Sequence, residues 1–324
     1  MDRRLFFECL FWGMLISAVT SALDAQSLPP VTVYGLKGPS GVGMIQLFEN
    51  PPQYPEAAIT VEALAQPDLM AARFISGSAK VGILPPNMAA KLAGAGARIQ
   101  IAAVLGTGML SLLTSDPDVR RIEDLRGKTL SAAGQGATPE YVFRRILRSK
   151  GINPDRDLRI NFSLAYPEIA RSLISGRIDT ALIPEPFATM ARAGKPDLRE
   201  AADIQQEWVR AGGRGNYPMT ALVVDAGFAA SQPLMLKTIL QGFKDSAAWV
   251  TANPDKAGVL VEKHGLGIRA QIARAAIPRS NYVFIPALEA RASLEALYQA
   301  FLEFSPAAIG GRLPGDGFYL NPAP

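Results

Sequence analysis

Cysteine and histidine are almost absent from this chain, which has one of each, Cys9 and His264, in 324 residues. A single cysteine excludes a disulfide framework, and the pair cannot build a His/Cys metal cluster. His264 stands just before Gly265 at the end of a helical stretch, where capping is the natural role, and no Ser-His-Asp arrangement gathers around it. Charged residues make up only 19% against 48% hydrophobic, which excludes a disordered chain. The net charge of +4 comes from scattered residues rather than a basic cluster, so nucleic acid is not an expected partner. Nucleotide motifs are missing too. Gly134-Gln-Gly-Ala-Thr-Pro139 contains one G-x-G and then stops, short of a Walker or dinucleotide fingerprint. No cofactor and no metal are expected.

The amino end has the layout of a secretory signal. Arg3 and Arg4 precede an apolar run of eleven residues, Cys9 to Val19, and small residues at Ser21, Ala22 and Ala25 follow. The run is shorter than the about 20 residues a membrane span needs. Cleavage after Ala22 or after Ala25 is expected, giving an exported protein whose mature chain has no cysteine. Removing Met1–Ala25 takes away Arg3 and Arg4 against Asp2, Glu8 and Asp24, which moves the net charge from +4 to +5.

Beyond the leader, short apolar strands alternate with helical stretches: Val31–Gly35, Ile59–Leu64, Val81–Leu84, Leu158–Leu164 and Thr180–Ile183 are strand candidates. This alternation indicates an α/β fold with parallel sheets. The pattern repeats. Ser76-Gly77, Val81–Leu84 and Pro85 recur as Ser175-Gly176, Thr180–Ile183 and Pro184 at an offset of 99, and Ala65–Leu69 matches Ala165–Ile169 at 100. Two similar lobes are expected on either side of Asp116. From Gln232 the chain reads as helical, with apolar stripes through Leu236, Ile239, Leu240, Phe243, Ala247 and Val250, and through Leu294, Leu297, Tyr298 and Phe301.

The stretch Leu130–Tyr141 reads as strand, glycine turn and helix start, with Thr138 at the N-cap and Pro139 at the first helical position. Its counterpart in the first half is Leu36–Gly43. In open parallel sheets, ligands sit beyond the carboxyl ends of the strands. One wall of a cleft is therefore expected from Lys37, Gly38, Pro39, Ser40, Gly41, Asn87 and Thr107. The other is expected from Gly136, Ala137, Thr138, Tyr166, Glu168, Glu185 and Phe187. Crossings near Thr114–Asp118 and Tyr217–Val223 would form a hinge. Opposed helix N-termini with Lys37 favour an anionic or strongly polar ligand. Tyr166, Phe187 and Trp208 are candidates to stack on a heteroaromatic one. The alternative is an enzyme on the same scaffold, with Glu168 or Glu185 as acid or base.

Several blocks carry a resemblance to a known family. These are Leu36–Met44, Leu125-Arg-Gly-Lys-Thr129, Gly134–Tyr141, Ser175–Asp179, Leu182-Ile-Pro-Glu-Pro-Phe187, Trp249–Pro254 and Ala276–Ser280. In them the chain resembles the type II periplasmic solute-binding proteins of ABC transporters, in the group that handles nitrate, sulfonates, taurine and thiamine-precursor pyrimidines. The resemblance implies a two-lobed fold, each lobe a mostly parallel sheet flanked by helices. It places lobe I at residues 26–114 and 222–324 and lobe II at 115–221. It also implies capture of a small solute between the lobes, without catalysis, by a monomer. Delivery would be to a membrane permease and its ATPase, with the protein peripheral to the membrane through the permease.

Overall fold

The structure, a computed structural model, describes residues 28–321. The signal segment and its cleavage sites lie outside the described residues.

From the amino end, β1 (Val31–Leu36) runs into the short helices α1 (Pro39–Val42) and α2 (Gln46–Glu49). Next come β2 (Ile59–Leu64), α3 (Pro67–Ile75), β3 (Val81–Leu84), α4 (Pro86–Gly94) and β4 (Ile99–Thr107). The middle of the chain holds β5 (Leu110–Thr114), β6 (Thr129–Ala132), α5 (Thr138–Ser149), β7 (Arg159–Asn161) and α6 (Tyr166–Ile174). It continues through β8 (Thr180–Pro184), α7 (Phe187–Gly194), β9 (Arg199–Ala202) and α8 (Ile204–Arg210). The last part comprises β10 (Pro218–Asp225), α9 (Ala226–Ser231), α10 (Pro233–Ala252), α11 (Pro254–Lys263), α12 (Ala270–Ala276), β11 (Tyr282–Pro286) and α13 (Ala287–Phe304).

The strands form two sheets, ordered β11-β4-β10-β3-β1-β2 and β7-β6-β8-β5-β9. In each, three strands pair in parallel around the first of them: β2-β1-β3 in one and β7-β6-β8 in the other. The strands that run against them, β10 and β11 in one sheet and β5 in the other, are the ones paired antiparallel. β3 and β8 are buried along their whole length, as strands covered by helices on both faces must be.

The internal repeat is physical. Gly77 and Gly176 end α3 and α6 at φ 74° and 70°, each after a serine whose N–H closes the last helical turn. Glycine tolerates this left-handed position at no steric cost, so the same stop recurs before the same inner strand.

The change of sheet comes earlier than Thr114–Asp118. β5 already belongs to the five-stranded sheet, so the chain crosses at Gly108-Met109, both in left-handed conformation at φ 64° and 70°. Asp116–Asp118 is a loop at the far end of β5. Two apolar strands in direct succession hide a crossing, because burial looks the same in either sheet. The return runs from β9 to β10 through α8, and β10 reaches from Pro218 to Asp225.

Both stripes are core. Leu236, Ile239, Phe243, Ala247, Val250, Leu294, Leu297, Tyr298 and Phe301 are buried, and Leu240 is half-buried against them. α13 packs on α5, with the rings of Phe301 and Tyr141 4.5 Å apart and Arg148 4.4 Å above the ring of Phe304. One continuous apolar core thus reaches from the six-stranded sheet to the five-stranded one. The segment after Ser305 lies along the first sheet, where Leu320 N–H donates to the Ile101 carbonyl at 2.8 Å. His264 caps α11 ahead of Gly265 at φ 65° and also meets the Glu49 carboxylate.

Candidate functional site

The carboxyl ends of the two sheets adjoin, because only Gly108 and Met109 separate the end of β4 from the start of β5. On the first wall, α1 starts so close to β1 that a Cβ on Gly41 would sit 2.3 Å from the Leu36 carbonyl oxygen. Gly38 takes φ 87° to make this turn, and its N–H donates to Leu266. The Tyr282 hydroxyl donates to the Pro39 carbonyl at 3.1 Å, while the Ser40 and Thr220 hydroxyls lie 3.4 Å apart. Thr107, buried, accepts from the Asn216 amide at 3.4 Å. Lys37 is exposed and makes no ion pair among the described residues. Asn216 and Thr220 were not anticipated from the sequence, although their place around the amino end of β10, opposite the end of β4, brings them here.

On the second wall the expected cap at Thr138 is corrected. Thr138 is the first helical residue of α5, after Ala137. The Glu140 carboxylate does the capping instead. Its Oε2 accepts from the Gly136 N–H at 2.7 Å, and its Oε1 accepts from Arg144 at 2.7 Å. A carboxylate in the first turn gains from both the free N–H and the helix dipole, which a hydroxyl cannot match. Thr138 is therefore left 2% exposed with no partner for its Oγ1. Across from it Asn87, at the start of α4 and 9% exposed, donates through Nδ2 to the Gly136 carbonyl at 3.4 Å. Its Oδ1 has no partner either. Two buried polar atoms without partners, one from each half, thus lie on either side of the Asn87–Gly136 contact.

The remaining expected residues are placed differently. Tyr166 and Phe187 stack on each other at 5.8 Å and 16°. The Tyr166 hydroxyl donates to the Ala133 carbonyl at 3.3 Å beside Gly134, and burial pushes its pKa above the usual phenol value. Glu168 is exposed and accepts from the Ala165 N–H at 3.2 Å, closing the first turn of α6. Glu185 is 2% exposed. Its Oε2 accepts from the Thr189 N–H at 2.9 Å, and its Oε1 accepts from Arg192 and Arg279, each at 3.2 Å. Both of its oxygens therefore already accept hydrogen bonds from the protein. Trp208 is wholly buried, edge-on to Tyr217 at 6.0 Å with Arg145 over its ring, and so belongs to the core.

A cavity of about 500 Å³ lies beside the first crossing, lined among others by Met109, Ser111, Glu185, Gln205, Tyr217 and Arg279. Among the described residues, the only non-glycine positions at positive φ, Met109 and Asn281, both border it. The Gln205 amide atoms are buried there without partners. No group of three or more His, Cys, Asp or Glu side chains among the described residues could hold a metal ion. No helix among the described residues is long and apolar enough to cross a membrane.

Comparison with known proteins adds a family and a fold. The family model described as NMT1/THI5 like matches residues 54–257. Among solved structures, an ABC transporter protein from Parabacteroides distasonis aligns with TM-score 0.76 at 24% identity, over 90% of this chain and 99% of that one. The periplasmic aliphatic sulphonate binding protein SsuA of Escherichia coli aligns with TM-score 0.73 at 17% identity, over 91% and 92%. The periplasmic nitrate-binding protein NrtA of Synechocystis PCC 6803 aligns with TM-score 0.57 at 11% identity, over 75% and 68%. No curated protein matches at a significant level.

Proposed function

The chain belongs to the NMT1/THI5-like family, and from that premise we propose that it is the extracytoplasmic solute-binding protein of an ABC importer. It captures a small anionic or polar solute between two lobes and hands it to a membrane permease with its ATPase. The lobes of this reading are residues 28–107 with 218–321, and residues 110–202, joined by the crossings at Gly108-Met109 and at 203–217. The protein works as an exported monomer, periplasmic, with residues 1–22 or 1–25 removed.

The observation that carries the reading is the joint between Asn87 and Gly136–Thr138. A buried hydroxyl or amide oxygen without a hydrogen bond costs about 1–3 kcal/mol. Such atoms persist where a partner arrives from outside, and here two of them lie on either side of the Asn87–Gly136 contact. The Thr138 hydroxyl and the second hydrogen of Asn87 Nδ2 can each donate to an oxygen of a sulfonate, nitrate or pyrimidine carbonyl, while the unpartnered Asn87 Oδ1 can only accept, as from an amino or N–H group of the solute. Lys37 supplies charge at the rim. The SsuA and NrtA relatives are named for sulfonate and nitrate binding, which supports that ligand class. With Glu185 and Glu168 occupied as caps and ion-pair partners, binding and release is the favoured chemistry over turnover.

Thermal-shift and calorimetric titration with alkanesulfonates, nitrate and aminopyrimidines tests the reading. One class is expected to raise the Tm and bind. In the double variant Thr138→Ala with Lys37→Ala, affinity for it falls by at least about tenfold, as expected for losing a hydrogen bond and a charge. The Tm of the free double variant stays near that of the parent. An unchanged affinity removes these residues from the site.

A further inference from the structure

We infer that Arg279 is a positioning residue for solute capture: carried by one half of the molecule, it completes an ion-paired ring on the other and holds the halves closed. This rests on the two-lobe reading above. Three members of the ring, Glu185, Arg192 and Glu200, belong to the half built on the five-stranded sheet. Arg192 bonds both carboxylates, Glu185 at 3.2 Å and Glu200 at 3.0 Å, and its guanidinium also donates to the Ser111 hydroxyl at 3.0 Å. The fourth member, Arg279, sits in the short 3-10 helix Ile277–Arg279 ahead of β11, in the half built on the six-stranded sheet. It also bonds both carboxylates, at 3.2 Å each. Without Arg279 the trio carries a net charge of −1 around a Glu185 that is 2% exposed; with it the ring is neutral. A buried carboxylate stripped of one partner is disfavoured, so the arrangement in which Arg279 is docked is the favoured one.

The position of the ring gives this preference a consequence. Glu185 and Arg279 both line the cavity beside the first crossing, so the pair closes a wall where the halves meet. A second cross-half pair, Arg148 with Glu303 at 2.9 Å, sits on the α5–α13 seam, where apolar packing already joins the halves. Arg279 acts at a different contact between the halves, just after α12, which packs on α7. A closed state that is less populated lowers the apparent affinity for solute in proportion, although Arg279 is not among the residues placed at the solute joint.

Spin-label distance measurements on solute-free protein test this without knowing the solute. Labels are placed at the exposed positions Ser78→Cys and Arg177→Cys, one on each half, in a Cys9→Ser background. In the parent, the long-distance population grows as salt rises from about 50 mM to about 500 mM, since the ring is partly open to screening. In Arg279→Gln, the long-distance population is already raised about one-and-a-half- to fivefold at low salt, the range for an exposed ion pair, and salt adds less than in the parent because only the Arg148–Glu303 pair across the halves still responds. Arg279→Lys, which keeps the charge, recovers part of the short-distance population. Should Arg279→Gln fail to fold, Glu200→Gln removes one of the two carboxylates that Arg279 bonds, and a smaller shift in the same direction is expected, since Glu185 still holds Arg279. Distances in Arg279→Gln, or in Glu200→Gln, that match a salt-responsive parent at low salt overturn the latch alone. Distances that never respond in any variant, nor to saturating alkanesulfonate, overturn two-lobe closure and the latch with it.

Discussion

At the scale of single residues, side chains and backbone approach each other so closely that some glycines have no substitute. Gly213 is one. A Cβ there would lie 2.1 Å from Nε1 of the buried Trp208, a ring that cannot move aside between Tyr217 and Arg145. Gly213→Ala is expected to destabilise the fold by roughly 1–3 kcal/mol, the usual cost of overpacking, read as a lowered urea midpoint. Gly315→Ala, with open space around it and φ −76°, is the control and should stay within about 0.5 kcal/mol. The glycines of the Leu36–Gly43 and Leu130–Tyr141 turns were legible in the sequence as turn residues. Which hydrogen-bonding group would be left over was not. That Glu140 reaches back four residues to Gly136, and so frees Thr138, depends on a rotamer choice that no local pattern encodes.

At the scale of elements, the sequence shows most of what the structure holds, because strand and helix are set by local periodicity and by Gly and Pro stops. The matching stops at Gly77 and Gly176 made the repeat visible. The seam between α5 and α13 was not visible, since both stripes read as helix faces seeking a sheet, and here each also covers the other. Phe301→Ala in this seam removes a wholly buried ring and is expected to cost about 3–5 kcal/mol. The result should appear in urea denaturation as a lowered midpoint.

At the scale of the molecule, charge is unevenly placed. In the five-stranded half, Lys128 beside Asp116 holds its carboxyl below the usual range. Backbone N–H donors do the same: Arg120 for Asp124 and Asn153 for Asp157. A carboxyl with a lowered folded pKa contributes stability above its unfolded pKa of about 3.9 and loses that contribution as pH falls through the folded value. Among the described residues the six-stranded half has one such carboxyl, Glu49 beside Lys263 and His264, so the five-stranded half should loosen first in acid. Pulse hydrogen exchange after incubation at about pH 3 is expected to label β6 and β7 before β1–β3, and the reverse order would contradict it.

The sequence by itself determined the α/β class, the repeat, the turn positions and the set of strand-end loops, because these follow from short-range patterns of apolar residues, glycine and proline. Only the tertiary structure decided where the chain changes sheet and which loop atoms stay without partners. It alone joined Glu185 to Arg192, Glu200 and Arg279. Residues 94 positions apart in the chain, as Glu185 and Arg279 are, find each other through the packing of whole halves, and no local pattern carries that information.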